Sequence, residues 1–226
     1  MDALLKIWNG LDWSVLTGIL LSVIPSLLCI TLHELSHGYV AYLLGDTTAR
    51  DAGRLTLNPI KHIDWFGLAM MVAFHFGWAK PVPVDMRRFK DPKTGMAITA
   101  LAGPISNVLI TVVFLFLYGA CYRWQFRSEL GSYVVQIIYL TAYISLAFAI
   151  FNLLPISPLD GSKVLYSFLP YKAYLWLMRY EKYGMILLLI LVATRILGSP
   201  LSAATSWAFD RLFPIAEWSF HLIKGF

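Results

Sequence analysis

Val15-Leu-Thr-Gly-Ile-Leu-Leu-Ser-Val-Ile-Pro25-Ser-Leu-Leu-Cys-Ile-Thr-Leu32-His33-Glu34-Leu35-Ser36-His37 opens with eighteen uncharged residues and closes on three ionisable ones. A run of that length approaches the roughly 20 residues that carry a helix through a bilayer core. Asp12 or Ser14 can cap its start, and Pro25 is placed to kink it. The helical pattern runs on to Leu44 before Gly45-Asp46 stops it. Two histidines and a glutamate at the end of such a span are expensive to keep there, so they are read as chemistry rather than packing.

Working outward, the chain has the composition of a membrane protein. Of its 226 residues 58% are hydrophobic and only 14% charged, against about 45–50% and about 25% in soluble domains. Residues 96–122 and 130–159 are uncharged and give two more spans, and 183–194 gives a weaker fourth. Residues 65–79 form an apolar run of 15, too short to cross, and Lys80-Pro81-Val82-Pro83-Val84 must be extended because each proline pushes its predecessor out of the α region. The expected fold is therefore an all-α polytopic membrane protein with about four to six transmembrane helices and a short re-entrant or extended, β-like segment near residues 65–85. It is read as one membrane-embedded domain over 1–226, with its core at 15–200 and an amphipathic or membrane-associated tail at 201–226.

The net charge of +5 does not point to nucleic acid, because the bases are scattered over the loops and form no continuous stripe. They read as topology signals. With the N-terminus outside, twelve Lys and Arg fall on the inner segments and six on the outer ones, which puts the 45–95 loop in the cytoplasm. Cys29 and Cys121 have no metal-type spacing and are packing residues.

His33-Glu34-Leu35-Ser36-His37 is an H-E-x-x-H motif. Residues four apart share a helix face, so both imidazoles converge on one metal, and Glu34, about 100° further round, reaches a water beside it. Five His and four Glu in a chain of this length would produce the motif by accident about 0.002 times. Zinc needs a third protein ligand and an open position. The third histidine of the longer H-E-x-x-H-x-x-G-x-x-H pattern is missing, since Leu43 occupies its place. Asp46, Asp51, Asp64, Asp85 and Asp91 lie in charged loop sequence and read as solvated acids. Asp160 stands apart. It ends a long uncharged stretch, in Asn152-Leu-Leu-Pro155-Ile-Ser-Pro158-Leu159-Asp160-Gly161, where two prolines break the helix and Gly161 permits a tight turn. Unwound backbone with a carboxylate at membrane depth lines a polar site.

The pair His33-Glu34-x-x-His37 and Asn152-x-x-Pro155-x-x-x-Leu159-Asp160-Gly161 resembles the site-2 protease family of intramembrane zinc metalloproteases (peptidase family M50). Gly103-Pro104-Ile-Ser-Asn107 and Gly77-Trp-Ala-Lys-Pro81-Val-Pro83-Val are similar to its compact prokaryotic branch, without PDZ or CBS domains. Ser157 and Ser162 depart from the commoner proline and glycine of the family pattern. The resemblance implies one catalytic Zn2+ held by His33, His37 and Asp160, Glu34 as general base, and Asn152 as a residue that holds substrate or the developing oxyanion, with Asn107 a candidate for the same kind of role. It implies single-span membrane proteins as substrates, cut within the bilayer of a prokaryotic plasma membrane, with the active site towards the cytoplasm. Val82 is expected to present a strand edge to unwound substrate. His62 reads as an interfacial polar residue, and His75 as a packed ring that can line the site. The rival from another class is a non-hydrolytic membrane metal carrier or sensor, which needs the ligands but no base beside an open position.

Overall fold

The computed structural model describes residues 13–67 and 79–224. Their helices are α1 (Trp13–Leu43), α2 (Thr48–Asp51), α3 (Pro92–Cys121), α4 (Glu129–Asn152), α5 (Asp160–Ser167), α6 (Tyr171–Ala193), α7 (Gly198–Leu212) and α8 (Pro214–Lys224). Local chemistry sets several of their ends. Asp91 accepts the backbone N–H groups of Lys93 and Thr94, and Pro92 fills the first helical position where no donor is needed, so α3 starts four residues before the uncharged run. Ser128 caps α4 through the Gly131 N–H. Pro25 and Pro104 lie inside α1 and α3 without ending them.

Helix α3 is the centre, touched by α1, α4, α5 and α8. Leu115, Ala142, Leu146, Phe209 and Ala216 form the main buried cluster. Short polar side chains join the helices: Thr111 Oγ1 donates to the Ala142 carbonyl at 3.1 Å and Ser145 Oγ to the Asn107 carbonyl at 2.8 Å. Such contacts are favoured where lipid removes the hydrophobic drive to pack. Outward faces are the reverse of a soluble protein's, with Leu109, Val113, Ile186 and Ile190 all more than half exposed.

Among the described residues, Pro92–Phe126 and Glu129–Asn152 are long and apolar enough to cross a membrane, and Tyr183–Ala193 with Gly198–Ile223, bent by 85°, makes a third if counted as one span. The first expected span is backbone helix in α1, but it begins among residues whose side chains lie outside the described set. One detail differs from the reading of the sequence. The stretch after Asn152 leaves the helix for seven residues before α5 begins at Asp160, so the uncharged run to Leu159 is not one span. The tail packs into the bundle: Phe209 is buried against Tyr139 and Tyr143 at ring distances of 5.5 and 5.2 Å, and Ala216 and Ser219 are buried beside α3.

Most of the run expected to re-enter, residues 68–78, lies outside the described residues. The chain from Ala79 onward is extended, as expected. Ile63 and Ala79 form an isolated antiparallel bridge, the Lys80 N–H donates to the His62 carbonyl at 3.0 Å, and neither helix nor strand covers 80–85.

Candidate active site

One turn of α1 separates His33 from His37, so both rings leave the same face and point at the start of α5. There Asp160 Oδ2 lies 3.1 Å from His33 Nε2 and 3.1 Å from His37 Nε2, while the two Nε2 atoms are 2.9 Å apart. All three residues are buried, at 7–8% exposure. The unwound 153–159 segment brings Asp160 here, and Gly161 is what lets it close. A Cβ on Gly161 would fall 2.2 Å from the Leu153 carbonyl oxygen. Its glycine requirement is thus a close approach rather than the left-handed turn that sequence alone suggests, since the positive φ angles belong to Gly45 and Gly53 among the described glycines.

The donor set fits a metal. Two imidazoles and one carboxylate are a familiar zinc set, and a tetrahedral zinc with bonds of about 2.0–2.1 Å separates its ligands by about 3.3 Å, close to the spacing found. No other group of three such residues gathers among the described residues. His37 is held for this task from behind: its Nδ1–H donates to the Thr99 carbonyl at 2.7 Å, which leaves Nε2 bare and facing inward. Space is set aside as well. A Cβ on Gly103 of α3 would lie 2.5 Å from Nε2 of both histidines, so only glycine lets α3 back the pair this closely.

Glu34 lies beside the trio, and its Oε2 accepts the backbone N–H of Val82 at 2.8 Å. This corrects the sequence reading of Val82, whose donor was expected to face substrate: the N–H is already spent on Glu34, and the side chain is buried at 8% exposure. The segment is also pinned on either side. Arg54 Nη2 donates to the Lys80 carbonyl at 2.7 Å, and the Asp85 N–H donates to Asp46 Oδ2 at 2.6 Å. Asp46 is therefore no solvated loop acid. It is fully buried and also accepts the backbone N–H and hydroxyl of Thr48. Of the other loop acids, Asp51 and Asp91 are exposed and Asp64 and Asp85 half-buried. Hydrogen bonds from Arg87 to Asp85, and from the Thr94 hydroxyl to Asp91, hold both carboxyls below the usual carboxylate range.

A cavity of about 450 Å³ opens in front of the trio, with Glu34, Asn152, Lys163 and Glu181 on its wall. Asn152 keeps one N–H on the Phe148 carbonyl at 3.0 Å. Asn107 is elsewhere: fully buried, it stands behind His33, with its amide nitrogen 3.0 Å from Nδ1. His62 is buried too, 2.9 Å from the Thr56 carbonyl. His75 lies outside the described residues. The reading of the sequence singles out neither Lys163 nor Glu181. Lys163 Nζ is 3.9 Å from Asp160 Oδ1 and 3.9 Å from Glu181 Oε1. The position of Lys163 one helical turn after Asp160 was the available signal.

The family model for peptidase family M50 matches residues 122–194. "Putative zinc metalloprotease YwhC" of Bacillus subtilis is 37% identical over 187 residues, 82% of this chain and 83% of that protein. A Mycolicibacterium smegmatis protein described in the same words, Rip2, is 27% identical over 198 residues, 85% of this chain and 74% of its own length. "Zinc metalloprotease MJ0392" of Methanocaldococcus jannaschii is 29% identical over 164 residues, 73% of this chain and 37% of that protein. No solved structure gives a significant match. An identity of 37% across four-fifths of both chains shows the family, and the chain belongs to peptidase family M50, the site-2 proteases, as a zinc metalloprotease.

Proposed function

We propose that the protein is an intramembrane endopeptidase that hydrolyses peptide bonds within transmembrane segments of single-span membrane proteins. The observation that carries this reading is the place of the buried trio. His33 and His37 continue directly from an uncharged helical run, and the span-length helix α3 backs them at Gly103. A peptide bond delivered to them arrives at membrane depth. The excess of bases on the 45–95 loop favours a site towards the cytoplasm of a prokaryotic plasma membrane.

His33, His37 and Asp160 would hold the zinc, which when bound supplies Lewis-acid activation of water and of the scissile carbonyl. Glu34 does the proton work. With Oε2 held by the Val82 N–H, Oε1 is left to take the proton of the attacking water and to return it to the leaving amine. The polar wall of the cavity gives water a way in, and Asn152 on that wall holds the substrate's carbonyl side. A metal carrier or sensor with the same ligands has no use for a carboxylate held in this way, which favours hydrolysis.

The test is metal analysis of the purified protein together with cleavage of tagged single-span substrates by wild type and Glu34→Gln. Glutamine keeps shape and hydrogen bonding but accepts no proton, so zinc should stay while turnover falls by about 10²–10⁴. Undiminished cleavage would defeat the mechanism, and zinc binding with no cleavage of any membrane substrate by wild type would favour the carrier.

A further inference from the structure

We propose that Asn107 is a positioning residue that accepts the Nδ1–H of His33 through its side-chain oxygen and so fixes His33 as a ligand through Nε2. The proposal rests on the metal reading above and deepens it.

The two histidines pose the same problem and only one has an evident answer. A ring that offers bare Nε2 to a metal carries its proton on Nδ1, and that proton needs an acceptor. His37 has one in the Thr99 carbonyl, which can do nothing but accept. His33 Nδ1 faces the side-chain amide of Asn107 at 3.0 Å, and this residue is fully enclosed. As placed, the amide nitrogen points at the ring and Oδ1 is buried with no partner among the described residues. That orientation would make Nδ1 the acceptor and put the His33 proton on Nε2, directed at His37 Nε2 and Asp160 Oδ2, where a metal needs a lone pair.

The oxygen and nitrogen of an amide occupy nearly the same volume, so a half-turn of the group costs no space. Either orientation makes one bond to the ring. The turned one lets Oδ1 receive the Nδ1–H and frees Nε2, so the requirement for a bare Nε2 decides between them. The backbone of Asn107 is held independently of its side chain, because its carbonyl accepts from both Thr111 and Ser145. The side chain is therefore aimed by α3 and α4 together. Asn107 sits one turn after Gly103 on the same helix, so the residue that makes room for the rings and the one that orients His33 share a face.

The experiment measures zinc affinity, not activity, by chelator competition on the purified full-length protein. Asn107→Leu keeps the volume and removes the acceptor; zinc should loosen by about 10–100-fold. Asn107→Asp keeps an acceptor and should bind zinc as tightly as wild type or more so. Ser145→Ala, which removes a hydrogen bond to the Asn107 carbonyl and leaves the Asn107 side chain in place, should leave affinity unchanged. Wild-type or tighter affinity in Asn107→Leu would overturn the proposal, because both mere packing and an amide that donates to Nδ1 predict it. Equal loosening by Ser145→Ala would assign the effect to helix packing and overturn it as well. If Asn107→Leu does not fold, Asn107→Asp decides: affinity at or above wild type supports the acceptor role and weakened affinity ends it. A wild type that binds no zinc would overturn the metal reading along with the proposal, whereas zinc-binding wild type with the wrong order of variants overturns the proposal alone.

Discussion

The candidate site has two halves built on different principles. The metal half is carried by α1, α3 and α5, where each backbone bonds within its own helix and the side chains are free for chemistry. The other half is the extended chain from Ala79 to Asp85, which among the described residues has one isolated bridge and borrows its partners from distant residues: His62, Arg54, Glu34 and Asp46. A helix places a side chain by its own repeat, while an extended segment without a neighbouring strand is placed residue by residue. The first half should fail by losing metal, the second by losing geometry with metal in place.

The largest expected effect breaks the metal half. Asp160→Ala removes the carboxylate shared by both histidines, and stoichiometric zinc and proteolysis should both vanish by metal analysis and substrate cleavage. Full zinc occupancy in that variant would move the third ligand elsewhere. Next is Val82→Pro, which deletes the N–H on Glu34. Turnover should drop about tenfold or more with zinc retained, and equally on an intact transmembrane substrate and on one carrying a helix-breaking Asn-Pro at its cut site, because the defect lies in the base. A loss confined to the intact substrate would instead restore a strand-edge role for this segment.

Smaller, and chiefly in stability, is Asp46→Ala, which leaves the Asp85 and Thr48 N–H groups without their buried acceptor. About 1–3 kcal/mol should be lost in denaturant unfolding, with zinc still bound. An unchanged midpoint would show the clasp to be idle. The smallest effect lies outside the spans, at Asp91. Its carboxyl is held low by the Thr94 hydroxyl, so its contribution is full at pH values above the ordinary carboxylate pKa of about 4 and is lost as pH falls through the depressed value. Asp91→Asn should flatten that part of the acid-unfolding profile, and an identical profile would remove Asp91 from it.

The same division explains what could be read without a structure. His33, Glu34 and His37 needed only the 3.6-residue repeat, and Asp160 showed itself as a carboxylate after an uncharged stretch broken by prolines. Nothing local marks Asp46 among five loop acids, because its burial depends on an amide 39 residues away. Val82 was rightly placed in extended chain, but the direction of its N–H is set by α1 and not by its neighbours. The tail reads as amphipathic from its Trp, Phe and charged residues, and its packing against α3 depends on a fit that periodicity does not encode.

Gly103 also keys the register of α3 on α1. Sliding α3 by one residue moves it about 1.5 Å and turns it about 100°, bringing Ala102 or Pro104 beneath the histidine rings. Between Met96 and Asn107 no other residue lacks a Cβ, so within that stretch there is one position at which the two helices mesh with both rings in place. A missing methyl thus acts as the notch of a lock: it indexes one helix against another in a bilayer that supplies no alignment of its own.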